Sequence, residues 1–209
     1  YDIAHLVDQK AMAPVTIVSH SLGGMISLQY AGLYPDKVKS VTAIEGLGAS
    51  PTMLAKNAGK SINERLAGWA DELRKVSGRA PRHYASLEDA FKRMQDENPH
   101  LSEEQARHLT THGANQNEDG TFSWKFDNYV RIFRPYGLTP EEIRHLWSRI
   151  TCPTLLIRGT ESWASDPVED GRFASFQNAE VAAIEGAGHW AHHDRLDVFL
   201  DLVRKHLAK

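Results

Sequence analysis

Apolar positions recur along this chain in two rhythms, and the alternation between them outlines the elements. Residues 2–11 place Ile3, Leu6 and Val7 on one side of a short amphipathic helix, which Pro14 closes. The run "VTIV" (Val15–Val18) then predicts a short buried strand. Leu22, Met25, Ile26, Leu28, Tyr30 and Leu33 fall at helical spacing over 22–34, and Pro35 ends that helix. "VKSVTAI" (Val38–Ile44) predicts a second strand that runs out at "EGLGASP". Strand, helix and strand joined by short connections are the pattern of a parallel α/β sheet.

That pattern stops between Ser50 and Arg149, where helical segments follow one another and no strand is expected. "SINERLAGWADELRKV" (Ser61–Val76) aligns Ile62, Leu66, Trp69 and Leu73 on one face. Ser86, Ser102 and Thr139 each stand where an N-cap belongs, with Asp89 three residues after Ser86 as in a capping box. "NEDGTFSWKFDNY" reads as a loop between helices. The sheet pattern resumes with a third strand at "PTLLIRG" (Pro153–Gly159), a helix near Glu169–Phe176 and a fourth strand at "AEVAAIEG" (Ala179–Gly186). "RLDVFLDLVRKHLAK" closes the chain as an amphipathic helix with its basic residues late, where the helix dipole favours them. The expected organisation is therefore an α/β core from 1–49 and 150–209, interrupted by a helical cap at 50–149.

Composition narrows the function. The 209 residues are 41% hydrophobic and 24% charged with a formal net charge of −3, which argues against disorder and against a nucleic-acid partner. No apolar run reaches membrane-spanning length. Cys152 is the one cysteine and reads as a small buried residue. The opening "YDIAHLVDQK" lacks an initiating Met and reads as the middle of a helix, so a natural N-terminus is expected elsewhere; a cytoplasmic location is the working expectation.

Three chemistry-bearing residues follow predicted strand ends, where ligands collect in parallel sheets: Ser21, Glu45 and His189. A serine hydroxyl needs a base to take its proton, and the base needs an acid to hold its tautomer. Ser21 sits in "SHSLGG" with a small residue on either side, Ser19 two before and Gly23 two after. Ser19 fits worse as the nucleophile, because bulky Ile17 precedes it by two. His189 lies in "EGAGHWAHHDRLDVF", in a loop that Gly186 and Gly188 keep mobile. His189 and His193 are four apart, as in a helical metal pair, but no third ligand suggests itself.

The small-x-Ser-x-Gly turn, the histidine loop and the order Ser, acid, His together resemble the α/β-hydrolase superfamily. The resemblance spans nearly the whole chain. It implies that the four strands correspond to the fifth to eighth of the family's eight, with the missing N-terminal part of the protein completing the sheet. It also implies that Leu22 N–H is one oxyanion donor, and that the second comes from an upstream loop not in this chain. Most members of the superfamily carry the acid three residues beyond the glycine of "PTLLIRG". Here that place is Ser162, which cannot ionise. Glu45 is the leading candidate, at a place similar to that of the acid in a subgroup of haloalkane dehalogenases and in some lipases. Glu161 is the alternative and Asp166 stands behind it.

A serine nucleophile implies acyl transfer to water rather than dehalogenation. The expected activity is hydrolysis of a small-molecule carboxylic ester or related acyl compound, without metal or cofactor. C–C bond hydrolysis of a vinylogous diketone and a hydrolase-like receptor remain open beside it. His20, Trp163 and Trp190 are candidate substrate contacts. The aromatic residues Trp69, Tyr84, Trp124, Phe126, Tyr129, Phe133, Tyr136 and Trp147 form the cap's own core or line an apolar pocket.

Overall fold

The computed structural model describes residues 2–79, 81–132 and 137–209. In chain order these form helix α1 (Asp2–Gln9), strand β1 (Val15–His20), helix α2 (Leu22–Leu33), strand β2 (Val38–Ile44), and helices α3 (Pro51–Ala58), α4 (Ile62–Ser77), α5 (Leu87–Glu97) and α6 (Glu103–Gly113). Short strands β3 (Ala114–Gln116) and β4 (Phe122–Trp124) come next. The chain ends with α7 (Pro140–Ser148), β5 (Thr154–Gly159), β6 (Ala179–Ile184), α8 (Ala191–Asp194) and α9 (Leu196–Leu207). Two compact units result, one of residues 1–58 with 138–209 and the other of 59–137.

The first unit is an α/β sheet with helices. Its strands are parallel and ordered β1-β2-β5-β6. Registers pair His20 with Ile44, Ile44 with Ile157, and Gly159 with Ile184, so the carboxyl ends of all four strands meet at one edge. β2 and β5 lie inside the sheet and are buried nearly throughout, which explains their continuous apolar runs. β1, at the end of the order, alternates instead between half-buried and exposed positions over Val15–Val18.

The unit boundaries lie away from the expected 50 and 149, because α3 and α7 belong with the sheet. At Gly32 an added Cβ would lie 2.3 Å from the Leu146 carbonyl oxygen, so the backbones of α2 and α7 touch there. Trp147 is consequently buried in the sheet unit and stacks on Phe176 at 5.2 Å, away from the helical unit in which it was expected. The helix expected over Glu169–Phe176 shrinks to a single 3-10 turn, Arg172–Ser175. Gly171 stands immediately before it with φ +80°, outside helical space, and Arg172 turns inward to Asp170.

The second unit is mostly helical, and its caps follow the sequence. Ser61 and Ser102 each close a capping box, with Glu64 and Gln105, while Ser86 caps α5 from its hydroxyl. Such caps contribute about 1 kcal/mol each. Ala90, Phe91, Leu101 and Ala106 form the buried contact of α5 and α6, and the Arg107 guanidinium covers the Phe91 ring at 3.9 Å. "NEDGTFSWKFDNY" is not a plain loop: β3 and β4 pair antiparallel around a turn with Gly120 at φ +81°. Three-residue strands are too short to display a period of two. Trp124 donates its indole N–H to the Tyr84 hydroxyl at 3.2 Å. Phe126 and Tyr129 are exposed, and Phe133 and Tyr136 lie outside the described residues. Among the described residues, no helix is long and apolar enough to cross a membrane.

Candidate active site

Ser21 occupies the bend between β1 and α2 with φ 52° and ψ −117°, a conformation that non-glycine residues rarely adopt. Such a backbone costs about 1–3 kcal/mol and persists only where neighbours enforce it. Here the Ser21 N–H donates to Ile44 O at 2.8 Å, and its carbonyl accepts from Met25 N–H at 3.1 Å. The tightest approach falls one residue beyond the expected Gly23. A Cβ on Gly24 would stand 2.6 Å from Gly46 Cα, whereas one on Gly23 would meet Ser19 Cβ at an ordinary 3.6 Å. Ser19 instead donates its hydroxyl to Thr42 O at 3.2 Å, tying the last turn of β1 to β2.

His189 reaches this bend from the loop between β6 and α8. Its Nε2 lies 3.0 Å from Ser21 Oγ, and its Nδ1 lies 3.4 Å from Glu45 Oε2. A carboxylate only accepts, so Nδ1 carries the ring proton and Nε2 keeps its lone pair toward the serine hydroxyl. Glu45 leaves the end of β2 with φ 51°, and its side chain is 0% exposed. Oε1 accepts the Gly159 N–H at 2.7 Å, and Oε2 accepts the Ser162 hydroxyl at 2.7 Å. A buried carboxylate is thus held by donors on two oxygens, as its desolvation requires.

Ser162, singled out in the sequence only as a position that lacks an acid, touches Glu45. It stands where the resemblance places an acid, and its hydroxyl donates to the carboxylate that comes from β2. The missing acid after β5 and the carboxylate after β2 already point to each other in the sequence, whereas the hydrogen bond between them does not. The other carboxylates are engaged differently. Glu161 has an exposed side chain, and its N–H donates to Ala187 O at 2.9 Å. Asp166 pairs with Arg158 at 3.0 Å and accepts from Val168 N–H.

Of the remaining candidates, His20 and Trp163 set their rings against that of His189. Leu22 is the first residue of α2, where N–H groups have no acceptor within the helix and the dipole favours negative charge. His20 Nε2–H donates to the His189 carbonyl at 2.8 Å. Trp163, 65% exposed, sets its ring 5.0 Å from that of His189. Trp190 instead packs on His193 at 5.7 Å. His192 and His193 lie on the short α8. Burial pushes the His192 pKa down to about 4, and the imidazoles of His193, His20 and His189 act in the same direction. Two supports escaped the sequence reading. Asp194 Oδ2 accepts the Gly188 N–H at 2.8 Å, directly before His189. Arg172, 6% exposed, pairs with Asp170 and donates to Leu47 O, Gly48 O and Ser165, tying the loop after β2 to the loop after β5.

The same chain matches a family model described as alpha/beta hydrolase fold over residues 1–196. It is 25% identical over 180 residues to a "Serine hydrolase-like protein" of Danio rerio, covering 84% of this chain and 50% of that protein. It is 21% identical over 214 residues to "Esterase YbfF" of Escherichia coli (strain K12), covering 99% of this chain and 72% of the relative. The chain therefore spans about half to about three quarters of the length of these relatives. In shape it is similar to the crystal structure of E-2-(acetamidomethylene)succinate hydrolase, with a TM-score of 0.76 at 20% identity over 100% of this chain and 72% of that one.

Proposed function

Since the chain belongs to the alpha/beta hydrolase fold family, we propose that Ser21, His189 and Glu45 act as nucleophile, base and acid in hydrolysing a small-molecule carboxylic ester or related acyl compound. His189 Nε2 takes the Ser21 proton while Oγ adds to the acyl carbon. The resulting oxyanion is stabilised by Leu22 N–H at the α2 terminus, a donor of a kind worth about 3–4 kcal/mol in the transition state. The second donor is assigned to the upstream part of the fold that the resemblance places before this chain. Collapse expels the alcohol, which takes its proton from the imidazolium and leaves Ser21 acylated. Water, deprotonated by the same Nε2, then releases the acid and restores the serine.

Glu45 balances the imidazolium throughout. Its 3.4 Å distance from Nδ1 is longer than a charge-assisted bond, and catalytic bonds of this kind tighten as charge develops. Trp163, exposed beside the base, is the proposed apolar wall for the acyl group. The observation that carries the reading is the continuous Ser21–His189–Glu45 contact. A panel of short-chain p-nitrophenyl esters tests it. Ser21→Ala is expected to abolish turnover and fluorophosphonate labelling without unfolding the protein, and retained turnover rejects the reading. Labelling without turnover of any ester in the panel, or of a vinylogous diketone assayed beside it, would favour a receptor role.

A further inference from the structure

The His189 loop follows β6, yet its imidazole must reach Ser21 at the end of β1. These strands stand at opposite ends of the four-strand order. With strands spaced by 4.7–4.9 Å, the loop crosses about 14 Å of sheet edge. A base carried that far on a loop with two glycines needs its main chain held. Both flanks of His189 are held: Asp194 takes the N–H of Gly188, and His20 donates Nε2–H to the carbonyl of His189 itself. His20 is the residue directly before the nucleophile, so this bond links the bend to the base across 169 positions.

The geometry points to His20 as a positioning residue whose Nε2–H strut to the His189 carbonyl keeps the base in register with Ser21. The inference rests on the triad reading above. A carbonyl only accepts, so His20 must hold its proton on Nε2. Its ring lies 4.8 Å from that of His189 and 4.6 Å from that of His192. A permanently charged donor there would oppose the imidazolium that forms on His189 during reaction. Burial pushes the His20 pKa down and keeps the ring neutral; His189 and His193 act with it, while the His189 carbonyl and Glu45 act against it.

Four forms of the intact protein test this by steady-state p-nitrophenyl ester hydrolysis: wild type, Ser21→Ala, His20→Phe and His20→Gln. His20→Phe keeps a ring and removes the donor; His20→Gln keeps an uncharged donor and removes the ring. A loosened base is expected to lower kcat roughly 10- to 100-fold in His20→Phe, as misplacement by about 1 Å does. KM should stay within about twofold, and His20→Gln should recover most of the loss. An active Ser21→Ala overturns the triad itself. An inactive Ser21→Ala beside an unimpaired His20→Phe overturns the strut alone, as does equal loss in His20→Phe and His20→Gln. Should His20→Phe fail to fold, nitrogen NMR of the wild-type imidazole decides: an Nε2–H tautomer near neutral pH supports the strut, and an Nδ1–H tautomer refutes it.

Discussion

Replacing Glu45 with Gln keeps its shape and removes its charge, which makes it the sharpest probe of the site. The buried carboxylate accepts from Gly159 N–H, from Ser162 and from His189 Nδ1–H. Gly159 N–H can only donate, so the Gln carbonyl must face it. The amide NH2 then points toward Ser162 and His189. Ser162 can rotate its hydroxyl to accept, but Nδ1 can accept only by losing its proton. The imidazole is thereby driven to the Nε2–H tautomer, in which it cannot take the Ser21 proton. Loss of the correct tautomer in a serine triad costs about 10⁴-fold in kcat, or about 5.4 kcal/mol. Stopped-flow or steady-state hydrolysis of p-nitrophenyl esters, with circular dichroism to confirm folding, measures it. KM should change little. Activity within tenfold of wild type in Glu45→Gln, together with loss in Glu161→Gln or Asp166→Asn, would refute the reasoning and move the acid to the loop after β5.

Other outcomes follow from the same contacts. Because Ser162 Oγ lies 2.7 Å from Glu45 Oε2, adding Ser162→Asp to Glu45→Gln should restore part of the lost kcat in the same assay. Gly24→Ala should lower stability by about 1–3 kcal/mol, read as a fall in denaturant midpoint, because the new methyl meets Gly46 Cα at 2.6 Å. Arg172→Met takes the guanidinium from half-buried Asp170, which keeps the Ser165 hydroxyl and the residue 172 N–H, and should cost about 1–3 kcal/mol by the same measurement. Acid should weaken the fold through His192. Its pKa is about 4 folded against 6.5 for an ordinary histidine, so the unfolded chain binds more protons between those values. Stability should fall as pH drops from 6.5 toward 4 and then level off. His192→Phe should flatten that window in denaturant melts across pH.

Much of the scaffold was legible because its signals are local. Pro14 and Pro35 punctuate the chain, and Ser61, Ser86, Ser102 and Thr139 cap helices three residues before their partners. The continuous apolar runs of β2 and β5 announced strands buried on both faces. The bend at Ser21 was legible from its small neighbours, although the closest backbone contact belongs to Gly24 and Gly46. Signals that depend on distant partners were not. β3 and β4 are defined by each other's hydrogen bonds rather than by three-residue patterns. Trp147 joins the sheet unit because Gly32 lets α7 approach α2, a contact no helix can encode by itself.

Periodicity, caps and a tight bend thus determined from the sequence alone that a strand–helix–strand core is interrupted by helices and offers a serine and a histidine at strand ends. The resemblance put Glu45 ahead of Glu161 and Asp166, but each of the three follows a strand and nothing local to any of them brings a carboxylate to the imidazole. Only the tertiary structure set β2 between β1 and β5, and so brought the carboxylate of Glu45 beneath His189 with Gly159 and Ser162 as its donors. A buried charge is stable only where those donors converge, and convergence is a property of neighbouring strands rather than of neighbouring residues.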